Sequence, residues 1–182
     1  MRVINRGVFV IDDLAKKSLG SLDNNKIKSI IDITLDENTF LRRRPEVEHE
    51  REIAIFDLLE SNYFELVGGD AVPSPYKINL SLQDNRLIFS LMNGSNELIK
   101  NVSISLRAFR PVIKDYFLVC ESYFDAIRTM SPSQIEAIDM GRRSLHNEGA
   151  KMLEEQLSKN IKLDHLTARC LFTLVCVLHM RG

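Results

Sequence analysis

Ile78-Asn79-Leu80-Ser81-Leu82-Gln83-Asp84-Asn85-Arg86-Leu87-Ile88-Phe89-Ser90-Leu91 is the stretch that decides the fold. Apolar and polar residues alternate along two limbs, Ile78, Leu80 and Leu82 on the first and Leu87, Phe89 and Leu91 on the second. Successive side chains of a strand point to opposite faces, so each limb presents one apolar face. Gln83-Asp84-Asn85 turns the chain between them, since Asp and Asn tolerate the left-handed backbone of a tight hairpin. Asn93-Gly94 is the next turn signal, and Val102, Ile104 and Leu106 supply a third strand. The stretch reads as an antiparallel meander with one apolar face.

Upstream, Ile31, Ile33 and Leu35 alternate with Asp32 and Thr34, which predicts an N-terminal strand over residues 27–35. Pro45 suits the first turn of a helix, and Glu46, Glu48, Glu50 and Glu52 suit its positive end. This helix is expected to reach Ser61 and to bury Ile53, Ala54, Leu58 and Leu59. Gly68, Gly69, Pro73 and Pro75 mark a loop. From Arg107 onward the pattern is helical throughout. A helix after Pro111 aligns Ile113, Phe117, Cys120, Phe124 and Ile127 on one face. Ser131-Pro132-Ser133-Gln134 is a capping box with proline in the first turn, opening a helix to about Leu157. Asp164 caps the last helix, which is apolar nearly all round and belongs at the centre. The fold class is α+β: a small antiparallel sheet, meander plus N-terminal strand, packed against about four helices. Residues 1–26 carry no sustained period and end in a polar run, so they read as a loosely attached extension of a single domain spanning 27–182.

The 182 residues are 45% hydrophobic and 27% charged, a soluble globular composition. Lys+Arg (24) nearly balances Asp+Glu (25), so no global field draws nucleic acid or acidic membranes. The short apolar run from Val8 to Ile11, closed by Asp12 and Asp13, does not make a secretory signal. The most hydrophobic stretch, Leu166 to Met180, is about 15 residues against the roughly 20 that a bilayer span needs, and Arg169 interrupts it. Cys120, Cys170 and Cys176 are odd in number, lack metal spacing and lie among Phe, Leu and Val. Buried free thiols of a cytoplasmic protein are the expectation.

The helix from Ser131 carries the chemistry. Its apolar stripe runs Ile135, Ile138, Leu145, Met152 and Leu153, and Arg142 and Gly149 fall inside it. An unpaired buried charge costs several kcal/mol, so Arg142 needs a partner. Glu121, Asp125 and Asp139 are the candidate carboxylates. His146 follows one turn later on nearly the same side, and Arg142, His146 and Glu148 form the candidate polar cluster. As a site, Arg142 would bind an anion and His146 would move a proton. As structure, Arg142 would tie helices through a buried ion pair and His146 would cap a polar group. Gly149 would let another segment approach closely. His49, His146, His165 and His179 show no zinc spacing, and no phosphate-loop, nucleophile-elbow or cysteine-nucleophile motif occurs, so no metal or cofactor is expected. Arg42-Arg43-Arg44 is the densest positive charge and the candidate basic patch, together with Arg107 and Arg110.

Several strings carry a resemblance: Val47-Glu48-His49-Glu50-Arg51, Lys114-Asp115-Tyr116-Phe117, Ser131-Pro132-Ser133-Gln134-Ile135-Glu136, Ile138-Asp139-Met140-Gly141-Arg142-Arg143, and Leu145-His146-Asn147-Glu148-Gly149. They resemble an alphaproteobacterial protein family of unknown function, over residues 28 to 182. The resemblance implies a small cytoplasmic bacterial protein and assigns no role to any residue. The leading expectation is a regulatory or interaction protein without catalytic activity, with a protein partner and no membrane. The first alternative is an anion-binding protein or hydrolase using Arg142 and His146. The second is RNA or DNA contact through Arg42 to Arg44.

Overall fold

The structure, a computed structural model, describes residues 29–36, 45–68, 72 and 74–179. The expected N-terminal extension and the Arg42-Arg43-Arg44 patch lie outside the described residues. Within them the chain forms β1 (Ile30–Leu35), α1 (Pro45–Glu60), β2 (Phe64–Leu66), β3 (Tyr76–Gln83), β4 (Arg86–Met92), β5 (Leu98–Ser105), α2 (Arg110–Thr129), α3 (Pro132–Leu157), β6 (Ile161–Leu163) and α4 (His165–His179).

The meander forms as its alternation predicts. β3, β4 and β5 are antiparallel neighbours, and Leu80, Phe89 and Val102 fall opposite one another on the buried face. Asp84 and Asn85 take left-handed backbones (φ 46° and 63°), the two-residue turn that suits the twist of a hairpin. The β4–β5 connection departs from expectation. Asn93 Oδ1 accepts from the N–H groups of Ser95 and Glu97, both at 2.9 Å, and Asn96 rather than Gly94 is left-handed. An asparagine side chain organises a longer loop there, in place of a tight Asn-Gly turn.

β1 joins β3 in parallel, so the four-stranded sheet is mixed, in the order β1-β3-β4-β5. The register slips between Ile30 and Asp32, leaving Ile31 as an extra residue that is 44% exposed. Ile30, Ile33 and Leu35 therefore face the core, where sequence alternation placed Ile31, Ile33 and Leu35. A second, two-stranded sheet pairs β2 with β6 antiparallel. Strands of three residues show no period of their own, so sequence read β2 as nothing and β6 as part of a helical tail.

Helix ends follow the predicted chemistry. Ser131 opens α3 with the capping box, and its N–H donates to Gln134 Oε1 at 3.1 Å. Asp164 Oδ1 accepts the Thr167 N–H at 2.9 Å and caps α4. α4 is buried from Thr167 to Leu178 apart from Arg169, and lies between α1 and α3, with α2 packed on α3. On α2 the buried face is Val112, Ile113, Tyr116 and Ala126, and Ile127, expected inside, is 46% exposed. Gly149 permits the α3–α4 approach: a Cβ there would fall 2.2 Å from the Phe172 ring. Among the described residues, no helix is long and apolar enough to cross a membrane.

Candidate functional site

α3 delivers Arg142 into the helical layer as its stripe predicts. The residue is only 6% exposed. Its Nε and Nη2 both donate to Asp139 Oδ1, at 3.0 and 2.6 Å, so of the three candidate carboxylates it is Asp139, one turn back, that takes it. Asp139 Oδ2 pairs with Arg143 Nε at 2.8 Å. The Arg142 guanidinium also lies 5.5 Å from the ring centre of Tyr123 on α2, within cation–π range. Burial works against its charge, but the Asp139 hydrogen bond and the neighbouring Tyr116 outweigh it and hold the pKa above the usual arginine value.

His146 follows one turn on and shares this face. Its Nε2 lies 2.8 Å from Thr173 Oγ1 and 3.0 Å from the Arg169 carbonyl oxygen, both on α4. The ring stacks on Tyr116 at 5.5 Å between centres and meets Phe172 at 5.7 Å. Burial, then the charge of Arg169, pushes its pKa down to about 3. The imidazole is neutral at any ordinary pH and is not poised to exchange protons near neutrality. Glu148 does not join it. That residue is exposed on another side of α3, as its position two residues past His146 dictates.

The structure adds a group that sequence reasoning placed elsewhere. Glu50, read as part of the acidic start of α1, turns inward. Its Oε1 is buried without a hydrogen-bond partner, and so is the hydroxyl of Tyr116 on α2. Burial raises the Glu50 pKa to about 8, against the lowering influence of Arg142. The same burial lifts the Tyr116 hydroxyl well above its usual range. It also holds Cys120 at about 12 and lifts Cys176 well above the usual thiol range, so these thiols stay protonated. One polar cluster thus draws on four helices: Glu50 from α1, Tyr116 and Cys120 from α2, Arg142 from α3 and Cys176 from α4. The signal for Glu50 was the one used for Arg142. Val47, Glu50, Ala54 and Leu58 follow three-and-four spacing, which puts a carboxyl inside an apolar stripe.

The other sequence candidates lie apart. His49 is exposed, and His165 pairs its Nδ1 with Glu154 Oε1 at 2.6 Å. No group of residues able to hold a metal ion occurs among the described residues. Arg107 is exposed, and Arg110 is held by Asn85 Oδ1 at 2.8 Å. A surface groove of about 480 Å³ lies at the far end of α3, lined by residues such as Val67, Glu155, Ile161 and Leu163. Glu155 is thirteen residues beyond Arg142, about 20 Å along the helix, so the groove and the cluster are separate places.

The strings around His49, Tyr116 and Arg142 that build this cluster fall within the region matched by the model of an uncharacterised protein family, UPF0262, over residues 27–181. The chain belongs to this family. A UPF0262 protein of Rhodospirillum rubrum is 59% identical over 153 residues, covering 84% of this chain and 93% of the relative. Relatives from Rhizobium meliloti and Brucella anthropi, also described as UPF0262 proteins, are 54% and 52% identical, each over 84% of this chain and 95% and 94% of their own length. No solved structure matches the chain.

Proposed function

We propose that this UPF0262 member is a cytoplasmic regulatory or interaction protein without catalytic activity, and that its Arg142 cluster ties helices together. The observation that carries this reading is the state of Arg142, which is buried: two guanidinium nitrogens are committed to Asp139 on its own helix, and its face meets Tyr123 on α2. His146 adds to it, being kept neutral and engaged with α4. An anion site would need the guanidinium facing a cleft, with a proton-exchanging group beside it. The surface offers a face for a partner. The end of α2, its link to α3 and the first turns of α3 carry exposed apolar side chains. Ile127 is 46%, Met130 45% and Met140 67% exposed.

The test is affinity purification of the tagged full chain from Rhizobium meliloti cells deprived of their own copy, with Ile127→Glu/Met130→Glu alongside. A stoichiometric partner that the double variant loses supports the reading. A chain that purifies alone in both forms, or whose thermal midpoint rises with inorganic phosphate and loses that rise in Arg142→Met, overturns it in favour of the anion-binding alternative. For contact of Arg42, Arg43 and Arg44 with RNA or DNA, the discriminating result is binding at about 50 mM salt that collapses as salt rises.

A further inference from the structure

Glu50 and Tyr116 pose an energetic question that the helix-tying role of Arg142 leaves open. A buried polar atom without a partner destabilises the fold that holds it, and native structures leave few of them. Here two such atoms, Glu50 Oε1 and the Tyr116 hydroxyl, belong to one cluster. The nearby cation does not close the gap, since Arg142 gives its Nε and Nη2 to Asp139 and its face to Tyr123. A carboxyl group kept in this position is tolerable in its neutral form and strongly disfavoured as an anion.

We propose that Glu50 is a proton-operated latch for the first half of α1: in its neutral form it seats against α2, α3 and α4, and on ionising it draws that half-helix outward. The groups that bear on it are Tyr116 and Cys120 from α2, with Glu121 beyond them, Arg142 and its Asp139 from α3, and Cys176 from α4. Tyr116, Cys120 and Cys176 are neutral, so Arg142 is the charge that favours ionisation, and it is already shared with Asp139. The shift of Glu50 to about 8 places the change within a range that cells reach. Val47, half-buried one turn before Glu50, and Ala54, buried one turn after, are the contacts that would loosen first. The latch belongs to α1 and stands whether or not a partner binds the exposed apolar side chains of α2 and α3.

The experiment is an NMR titration of the full chain with ¹³C-labelled glutamate side chains, from pH 5 to 9, on the wild type, Glu50→Gln and the exposed control Glu52→Gln. One carboxyl resonance is expected to titrate about three pH units above the others and to vanish in Glu50→Gln. The amides of Val47 to Ala54 are expected to shift with the same midpoint in the wild type and in Glu52→Gln, and to stay still in Glu50→Gln. Arg142→Lys, which keeps a positive charge and helps the fold persist, should move the midpoint by a measurable fraction of a unit. A Glu50 midpoint near 4.5 overturns the proposal. So do α1 amides that ignore the Glu50 titration.

Discussion

Arg142 and Glu50 break the same rule in the same way and meet different fates. Each is a charged residue inside the apolar stripe of a helix, and each ends up in the polar cluster where the helices meet. Arg142 finds its partner on its own helix, one turn back, and the chain can supply that contact as soon as α3 forms. Glu50 has no such neighbour aimed at its buried oxygen, and the groups around it come from three other helices. The charge that brings its own counterion can stay charged. The one that depends on distant elements is held neutral by burial.

Removing Arg142 should break the comparison most severely. Arg142→Met leaves Asp139 partly buried with only Arg143 to answer it, and strips Glu50 of its one favourable charge. A loss of about 3 kcal/mol is expected, since deleting one member of a buried pair strands the other. Urea denaturation of Arg142→Met and of Arg142→Met/Asp139→Leu separates the causes. If the pair is a clasp, the double variant regains much of what the single one lost. A double variant as weak as the single would place the cost in lost packing.

The pH dependence of stability sharpens the contrast, because Glu50 and His146 pull in opposite directions. Glu50 is raised from 4.5 to about 8, so the folded chain holds a proton that the unfolded chain has released. Its contribution is fully present below pH 4.5 and is lost as pH climbs towards 8, by about 1.4 kcal/mol per unit. His146 is lowered from 6.5 to about 3, so the unfolded chain binds the extra proton. Its contribution is present above pH 6.5 and is lost as pH falls towards 3. Between pH 4.5 and 6.5 the two slopes cancel, and a plateau of maximal stability is expected there. Glu50→Gln should raise stability by roughly 3 kcal/mol at pH 7 and flatten the alkaline limb. His146→Phe should flatten the acid limb, because it removes the group that takes up a proton on unfolding. Urea midpoints at half-unit steps of pH read both. Unchanged limbs in the two variants would remove these groups from the account.

The same contrast explains what could be read in advance. The meander was legible because period-two alternation is written locally, and Asp84-Asn85 names its own turn. Arg142 stood out because about seven turns of α3 made the stripe long enough for one intruder to show. Glu50 had the same spacing but sat beside Glu46, Glu48 and Glu52, where an acidic helix start is an adequate local reason for every carboxylate. Only contacts with Tyr116 and Cys120, 66 and 70 positions on, set it apart. Ile31 was misread for a related cause. A bulge is a property of pairing, and Tyr76, its reference across the sheet, lies 45 residues downstream.

Gly149 tests the packing that brings the cluster together. A Cβ would fall 2.2–2.5 Å from three atoms of the Phe172 ring, the ring against which His146 and Tyr116 also rest. Phe172 is fully buried and has little freedom to retreat, so Gly149→Ala should force α3 and α4 apart. Overpacking of this kind costs about 1–3 kcal/mol, and the better helix propensity of alanine returns about 1 kcal/mol. A net loss of up to about 2 kcal/mol is expected, accompanied by altered pH limbs because His146 and Tyr116 shift with the ring. If Gly149→Ala were more stable than the wild type, the close approach of the two helices would be wrong.

Glu148 sets the lower bound. It neighbours His146 in sequence and was grouped with it as a candidate, yet it is exposed on another side of α3. Glu148→Gln should therefore change stability by less than about 0.5 kcal/mol, the usual range for a surface position. It should also leave the pH plateau and any partner binding through Ile127 and Met130 where they were. The comparison depends on this small result. If neutralising Glu148 moved the titration of Glu50 or of His146, the cluster would extend through α3 to its exposed side. Its pH response would then have to include a carboxylate that the geometry places in solvent.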